Sequence, residues 1–135
     1  MGCDIHIHSE IKVGGKWLHY DQPECERDYD LFEKMAGVRG ELRNAIAPPR
    51  GLPEDANETT KFDAKRWGSD GHSHSWLSAS EIAELAEWQE KQGKRPFEAE
   101  WDHWLFGNTY SGFVRYPQDN IKDLEDVRFI FWFDN

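Results

Sequence analysis

The opening residues alternate between apolar and polar positions with a period of two, which indicates a β-strand with two different faces. One face carries the apolar side chains of Cys3, Ile5, Ile7, Ile11 and Val13. The other face carries the metal-binding residue types Asp4, His6, His8 and Glu10. Gly14-Gly15 comes next and suits a two-residue hairpin turn, because both turn positions need positive φ. We therefore predict that residues 16–20 return as a second, antiparallel strand.

Helical spacing first appears after Asp28, a residue type that often caps the amino end of a helix. The apolar positions that follow are three or four residues apart, at Leu31, Phe32, Met35 and Val38. Gly37 or Gly40 is suited to end this helix, because glycine adopts the left-handed conformation of a helix C-cap.

A second helix is predicted from Ser78 and Glu81, which form a capping box ahead of the apolar positions Ile82, Leu85, Ala86 and Trp88. This helix should end near Gly93. Residues 61–67 are long enough for one or two helical turns, and residues 96–107 have the spacing of a further helix. Residues 108–117 are rich in Gly and Tyr and are predicted to form a loop.

The chain closes with an apolar and aromatic run over residues 126–134, which we predict to be a buried central strand beside the first. Strands at both ends with helices between them indicate an α+β fold in a single domain, residues 1–135. The expected architecture is a small antiparallel or mixed sheet, made of the hairpin and the closing strand, with two to four helices packed on it.

Between the first two helices, residues 44–60 contain three prolines and no sustained periodicity, so they are predicted to form a long loop. Long loops in compact domains are more often functional than idle. This directs attention to Arg50.

Aromatic residues make up 14% of the chain, so a few large rings must supply much of its buried surface. The formal net charge of -10 argues against extended contact with DNA, RNA or an anionic membrane, which needs a clustered positive surface. A small anionic ligand such as a nucleotide remains compatible. No apolar run reaches the roughly 18 residues of a membrane span.

The cysteine content is low, with Cys3 and Cys25 the two present, and the chain shows neither a cysteine framework nor a cleavable apolar leader. We expect a reduced, cytoplasmic protein. Aromatic strands at a sheet edge are also compatible with a homodimer.

Four of the six histidines stand in two His-x-His pairs, His6 with His8 and His72 with His74. Zinc, manganese and iron accept imidazole together with carboxylate, and a site with an open position lowers the pKa of bound water to about 7. The predicted metal ligands are Asp4, His6, His8, His72 and His74. Glu10 and Asp134 are predicted to orient or deprotonate the water. The alternative is that the pairs are surface histidines and that residues 70–73 form a turn.

Two arginines, Arg50 and Arg128, are candidates for neutralising a phosphate, with Trp76 stacking on a base. The alternative is that the arginines pair with the many carboxylates of the chain.

The chain resembles a family of small proteins from bacteriophages and bacteria that open with Met-Gly-Cys-Asp-Ile-His. The motifs that carry the resemblance lie at residues 1–6, 27–32, 49–53, 67–77 and 127–135. The resemblance implies a phage context in the cytoplasm of a host cell, where small phage proteins bind or destroy the nucleotide signals of host immunity. It implies no activity by itself. Asp4-x-His6-x-His8 is also similar to the strand motif of amidohydrolases and of polymerase-histidinol-phosphatase phosphoesterases. Those proteins are barrels of more than ~200 residues, and this chain is too short to build one.

Three hypotheses follow for the function. The first is a metal-dependent hydrolase, most simply a phosphodiesterase that acts on a small cyclic nucleotide in phage counter-defence. The second is a non-catalytic protein that sequesters a nucleotide or a host protein and so inhibits immune signalling. In the third, the histidines only stabilise a small fold. The first requires the two histidine pairs to meet beside the closing strand.

Overall fold

A computed structural model describes residues 2–93 and 124–135. Within these ranges, four strands form one antiparallel sheet: β1 (Asp4–Val13), β2 (Lys16–Asp21), β3 (Gly71–Ser78) and β4 (Leu124–Asp134). The strand order is β2-β1-β4-β3, so the closing strand is central and lies beside the first, as predicted. Together with the helices this is the expected α+β fold.

The predicted hairpin is confirmed, with Gly14 at φ 59 and Gly15 at φ 77 between β1 and β2. The pairing of β1 with β2 shifts register next to Ser9, where the strands part. The Ser9 hydroxyl takes over from the ladder there, accepting a hydrogen bond from the Asp21 amide at 3.0 Å and donating to the Asp21 carbonyl at 3.3 Å. Beyond Ser9 towards the amino end, β1 is no longer paired with β2 but remains paired with β4.

The described helices are α1 (Tyr29–Ala36), α2 (Glu58–Trp67) and α3 (Ala79–Lys91), with short 3-10 turns at Leu42–Asn44 and Gly68–Asp70. Asp28 caps α1 by accepting a hydrogen bond from the Leu31 amide, and Gly37 ends it at φ 76, as predicted. The capping box of α3 is also present, with Ser78 and Glu81 bonded reciprocally. None of these described helices is long and apolar enough to cross a membrane.

Both faces of the sheet are covered. The larger core packs one face against α1 and α3, and on β4 it includes Phe129, Phe131 and Phe133. The alternate residues Ile130 and Trp132 form a smaller cluster on the other face with side chains from α2 and the preceding loop. Strict alternation along β4 therefore builds two buried layers, and the polar face of β1 lies beneath α2 instead of facing solvent.

Strand β3 is the element that the sequence analysis does not predict. Ser73 has a positive φ of 56, and the pairing of β3 with β4 shifts between His72 and Ser75. An inserted residue of this kind breaks the period of two on which sequence prediction of strands depends. The helix predicted at residues 96–107 and the loop predicted at residues 108–117 lie outside the described residues.

Candidate functional site

Three of the four paired histidines surround one indole. His6 and His8 approach Trp132 from β1, with ring-centroid distances of 6.2 and 5.2 Å, and His74 approaches it from β3 at 5.6 Å. Since β4 lies between β1 and β3, the Trp132 ring stands between His74 and the two histidines of β1. His74 therefore shares a face with His6 and His8 without sharing a ligand position with them.

His72 lies on the opposite face. It is paired with Phe133, and its ring nitrogens contact the Ser73 hydroxyl at 2.9 Å and the Asn135 side chain at 3.0 Å. In a regular strand, His72 and His74 would point to the same side of the sheet. The irregularity at Ser73 places them on opposite sides. The structure thus does not bring His72 together with the other predicted metal ligands.

His6 and Asp134 form a partly exposed polar pair on the Trp132 face. His6 Nε2 lies 2.5 Å from Asp134 Oδ2, and the two side chains are 24% and 17% exposed. Trp67 packs against the His6 ring at 4.1 Å between centroids and fixes its orientation. With Asp134 as a carboxylate, His6 Nε2 carries the shared proton, and Nδ1, which contacts no polar atom of the described residues, can accept another proton or bind a metal.

A chain of hydrogen bonds next to this pair runs from the buried Asp63 through the buried His8 to the partly buried His19. His8 Nε2 lies 2.8 Å from Asp63 Oδ2, and His8 Nδ1 lies 2.8 Å from His19 Nε2. Gln22 and Arg66 also hold Asp63, at 3.4 and 2.7 Å. Asp63 and His19 are not among the site residues predicted from the sequence.

The protonation states along this chain follow from its surroundings. Burial lowers the pKa of His8, although the hydrogen bond to Asp63 acts in the opposite direction, so His8 is neutral. Burial alone would raise the pKa of Asp63, but hydrogen bonds from Arg66 and His8 outweigh it and hold that pKa below its ordinary value. An ionised Asp63 only accepts, so His8 donates through Nε2 and accepts from His19 through Nδ1.

A cleft of about 1200 Å³ opens along the part of β1 that β2 leaves unpaired. Ile5, His6, Ile7 and His8 form one wall, and a stretch from Gln22 to Leu31 forms much of the other. The charged side chains that line it are Glu24, Glu26, Arg27, Asp28, Asp30, Asp63 and Arg66. Acidic groups outnumber basic ones, so an anionic ligand needs a cation beside it to enter.

Two buried polar atoms have no hydrogen-bond partner in the described part of the chain, Gln89 Oε1 and Trp132 Nε1. Gln89 lines the cleft from α3, and Trp132 stands among the three histidines. Buried polar atoms are normally paired, so these two are exceptions among the described residues.

Asp4, a predicted metal ligand, sits at the outer end of β1 and is bound by Arg27. Arg27 Nε and Nη2 donate to its two carboxylate oxygens at 2.7 and 3.2 Å. This hydrogen bonding lowers the pKa of Asp4. Asp4 is paired with Asp134 across the ladder, so it flanks the His6–Asp134 pair.

Glu10 has a structural environment instead of the catalytic one predicted for it. Its side chain is fully buried, and Oε1 accepts from Arg128 at 2.8 and 3.1 Å. Oε2 accepts from the Asn57 amide at 2.9 Å and the Thr60 hydroxyl at 2.6 Å. Since both oxygens are already occupied, Glu10 does not reach a water molecule in the cleft.

The two arginines predicted to bind phosphate form ion pairs with carboxylates of the protein instead. Arg128 is buried between Glu10 and Asp55, and its guanidinium lies 3.9 Å from the centre of the Trp17 ring. Arg50 forms a two-point ion pair with Glu81 at 2.6 and 2.8 Å and stacks on Trp76 at 4.3 Å. Trp76 therefore carries an arginine where the sequence analysis expected a base.

A preformed metal centre is not seen in the described ranges, where no group of three or more His, Cys, Asp or Glu side chains is arranged to hold an ion. The residues nearest to such a role are His6, Asp134 and Asp4 at the end of β1 and β4. One or two carboxylates suffice for a divalent ion that also binds a substrate phosphate and keeps several waters.

Patterns in the sequence indicate the positions of His19 and Asp63, which were not among the predicted site residues. The Gly14-Gly15 turn places Val13 opposite Lys16, and counting back places His19 opposite Glu10, on the face that carries His8. Asp63 belongs to the buried face of α2 with Thr60 and Ala64, so polar residues occupy positions that an ordinary amphipathic helix fills with apolar ones.

Comparisons with protein-family models, with curated proteins and with solved structures find no match to this chain.

Proposed function

We propose that this protein is a hydrolase for a small phosphodiester of cyclic-nucleotide size, which enters the cleft together with a divalent cation. The single observation that carries the proposal is the partly exposed His6–Asp134 pair, held at 2.5 Å, in which His6 lines the cleft. A histidine oriented by a carboxylate is the usual arrangement for general base catalysis.

In this proposal His6 accepts a proton at Nδ1 from a water molecule that attacks the phosphorus. Asp134 keeps Nε2 protonated and stabilises the imidazolium that forms. The phosphorus–oxygen ester bond then breaks, and the imidazolium returns the proton to the leaving oxygen. His6 thus acts as a proton carrier, whereas the sequence analysis assigned it to the metal.

The hydrogen-bonded chain of Asp63, His8 and His19 supports the partly exposed His6–Asp134 pair. His8 lies two residues from His6 on the same face of β1, and its ring is held at both nitrogens. Groups whose orientation is fixed by packing and hydrogen bonds keep a neighbouring catalytic residue in its productive geometry. Asp63 and His8 are therefore positioning residues in this proposal.

The acidic lining of the cleft is the reason for including a cation. Glu24, Glu26 and Asp63 would repel a phosphodiester, and Arg27 and Arg66 are paired with Asp4 and Asp63. A divalent ion shared between the phosphate and these carboxylates would neutralise the charge on the substrate. Manganese suits both carboxylate and imidazole ligands, and zinc and iron are the other candidates.

The test is hydrolysis by the purified chain of a panel of cyclic mononucleotides and dinucleotides and of bis(4-nitrophenyl) phosphate. Each substrate is assayed with manganese, zinc or iron(II), and again with EDTA. We expect product in at least one metal arm and its loss in EDTA. Tight retention of an intact nucleotide would contradict the proposal and indicate sequestration, and neither product nor retention across the panel would also reject it.

A further inference from the structure

Strand β1 lies between β2 and β4 in the sheet, but its amino end has an open edge on the β2 side. Ladder pairing to β2 stops at Ser9, whereas pairing to β4 continues to Asp4. Residues 4–8 therefore have a strand on one side and, among the described residues, none on the other. Five residues of strand span about 16 Å, and their outward backbone groups form a template for another chain.

The cleft follows this edge. Ile5, His6, Ile7 and His8 line it in succession, although neighbouring side chains of a strand point to opposite faces. A cavity that touches four consecutive residues lies along the edge of the strand and not over one face. Its volume of about 1200 Å³ exceeds the roughly 300–1,000 Å³ of pockets for small ligands, so there is room for several residues of extended chain.

The facing wall of the cleft selects the charge of such a chain. Glu24 and Glu26 are exposed there and form no ion pair within the described residues. The two arginines of the cleft are already neutralised, Arg27 by Asp4 and Arg66 by Asp63. Basic side chains on the incoming segment would complement the carboxylates.

We infer that the open edge of β1 is a docking site for an extended basic segment of a partner protein, which joins the sheet as a further strand. Main-chain hydrogen bonds to residues 4–8 supply the affinity, and the contacts of its lysines or arginines with Glu24 and Glu26 supply the selectivity. The inference does not depend on the proposed hydrolase activity, because it uses the strand edge and the outer wall instead of the reacting nitrogen of His6.

The test uses the full chain and an acetylated, amidated hexapeptide of alternating lysine and valine, with binding measured by calorimetry. Two matched methylated sets of this peptide carry N-methyl groups, one on the odd-numbered and the other on the even-numbered amides, so each set removes the donors of one edge and leaves the charge unchanged. We expect the methylated peptide set that blocks the docking edge to bind at least about tenfold more weakly, the effect of losing two or three hydrogen bonds. Hydrogen exchange should show protection of amides in residues 4–8 when the parent peptide is bound.

Two matched variants test the charge. Glu24→Gln with Glu26→Gln should weaken binding, whereas Glu84→Gln with Glu90→Gln, at exposed positions of α3, should not. Peptide binding is measured without metal or phosphodiester, which separates docking from the hydrolase proposal. The inference is overturned if both methylated sets bind as tightly as the parent, if an alternating glutamate–valine peptide binds equally well, or if the parent peptide does not bind.

Discussion

His6 and Asp134 are 128 positions apart in the sequence, yet His6 Nε2 and Asp134 Oδ2 lie 2.5 Å apart. The antiparallel ladder of β1 with β4 causes this proximity, because it pairs Asp4 with Asp134 and His6 with Trp132. The candidate site therefore joins the first and the last strand of the sequence, and it forms only when the closing strand is in register. A shift of one residue in that ladder would send Asp134 to the opposite face.

Removing Glu10 should destabilise the fold. Glu10→Ala leaves the buried guanidinium of Arg128 without its main partner, and the loss of one member of a buried ion pair costs about 3–5 kcal/mol. The measurement is the free energy of unfolding from urea titrations. The double variant Glu10→Ala with Arg128→Met should recover part of the loss, because no charge remains buried. A loss below about 1 kcal/mol in the single variant would show that the pair is not buried as described.

Ser73 should tolerate glycine and reject a branched residue. Its φ of 56 is in the left-handed region, which glycine adopts freely and valine adopts poorly. We expect Ser73→Val to be less stable than Ser73→Gly by about 1–3 kcal/mol, measured by urea unfolding. Equal stabilities would indicate that β3 is regular at this point, in which case His72 and His74 would share a face.

Stability in acid should depend on Glu81. The hydrogen bonds from Arg50 lower its pKa from 4.5 to about 2 in the folded protein. The folded carboxyl stays ionised while the unfolded one takes up a proton, so the stabilisation is complete above pH 4.5 and is lost as the pH falls towards 2. Urea unfolding across this range should therefore show a smaller pH dependence for Glu81→Gln than for the unchanged protein. The control is Glu84→Gln, exposed on the same helix, which should keep the original dependence.

Much of the fold could be predicted because its signals are local. The Gly14-Gly15 turn, the Asp28 cap and the capping box at Ser78 each depend on residues within a few positions of one another. The aromatic run of β4 also identifies a buried strand without any information about its neighbours. Strand β3 was missed because the irregularity at Ser73 removes the periodicity on which prediction relies.

The candidate site was predicted in part, and its gaps have a physical reason. The alternation along β1 placed His6 and His8 on one face, but it gave no indication that α2 would bury that face and bring Asp63 to His8. Glu10 and Arg128 have the residue types of a phosphodiesterase site, and only the tertiary contacts show that they neutralise each other. Long-range partners of this kind are fixed by packing, which a single sequence does not contain.

The most direct test of the account compares turnover in two matched histidine variants. His6→Gln removes the proposed proton acceptor, whereas His72→Gln changes a histidine on the opposite face, beside Phe133 and Asn135. On the phosphodiester and metal that give the highest rate, His6→Gln should lower kcat by about 10²–10⁴ fold, the usual contribution of a general base, and His72→Gln should leave kcat within about twofold. Equal rates in the two variants, with both proteins folded, would contradict the account.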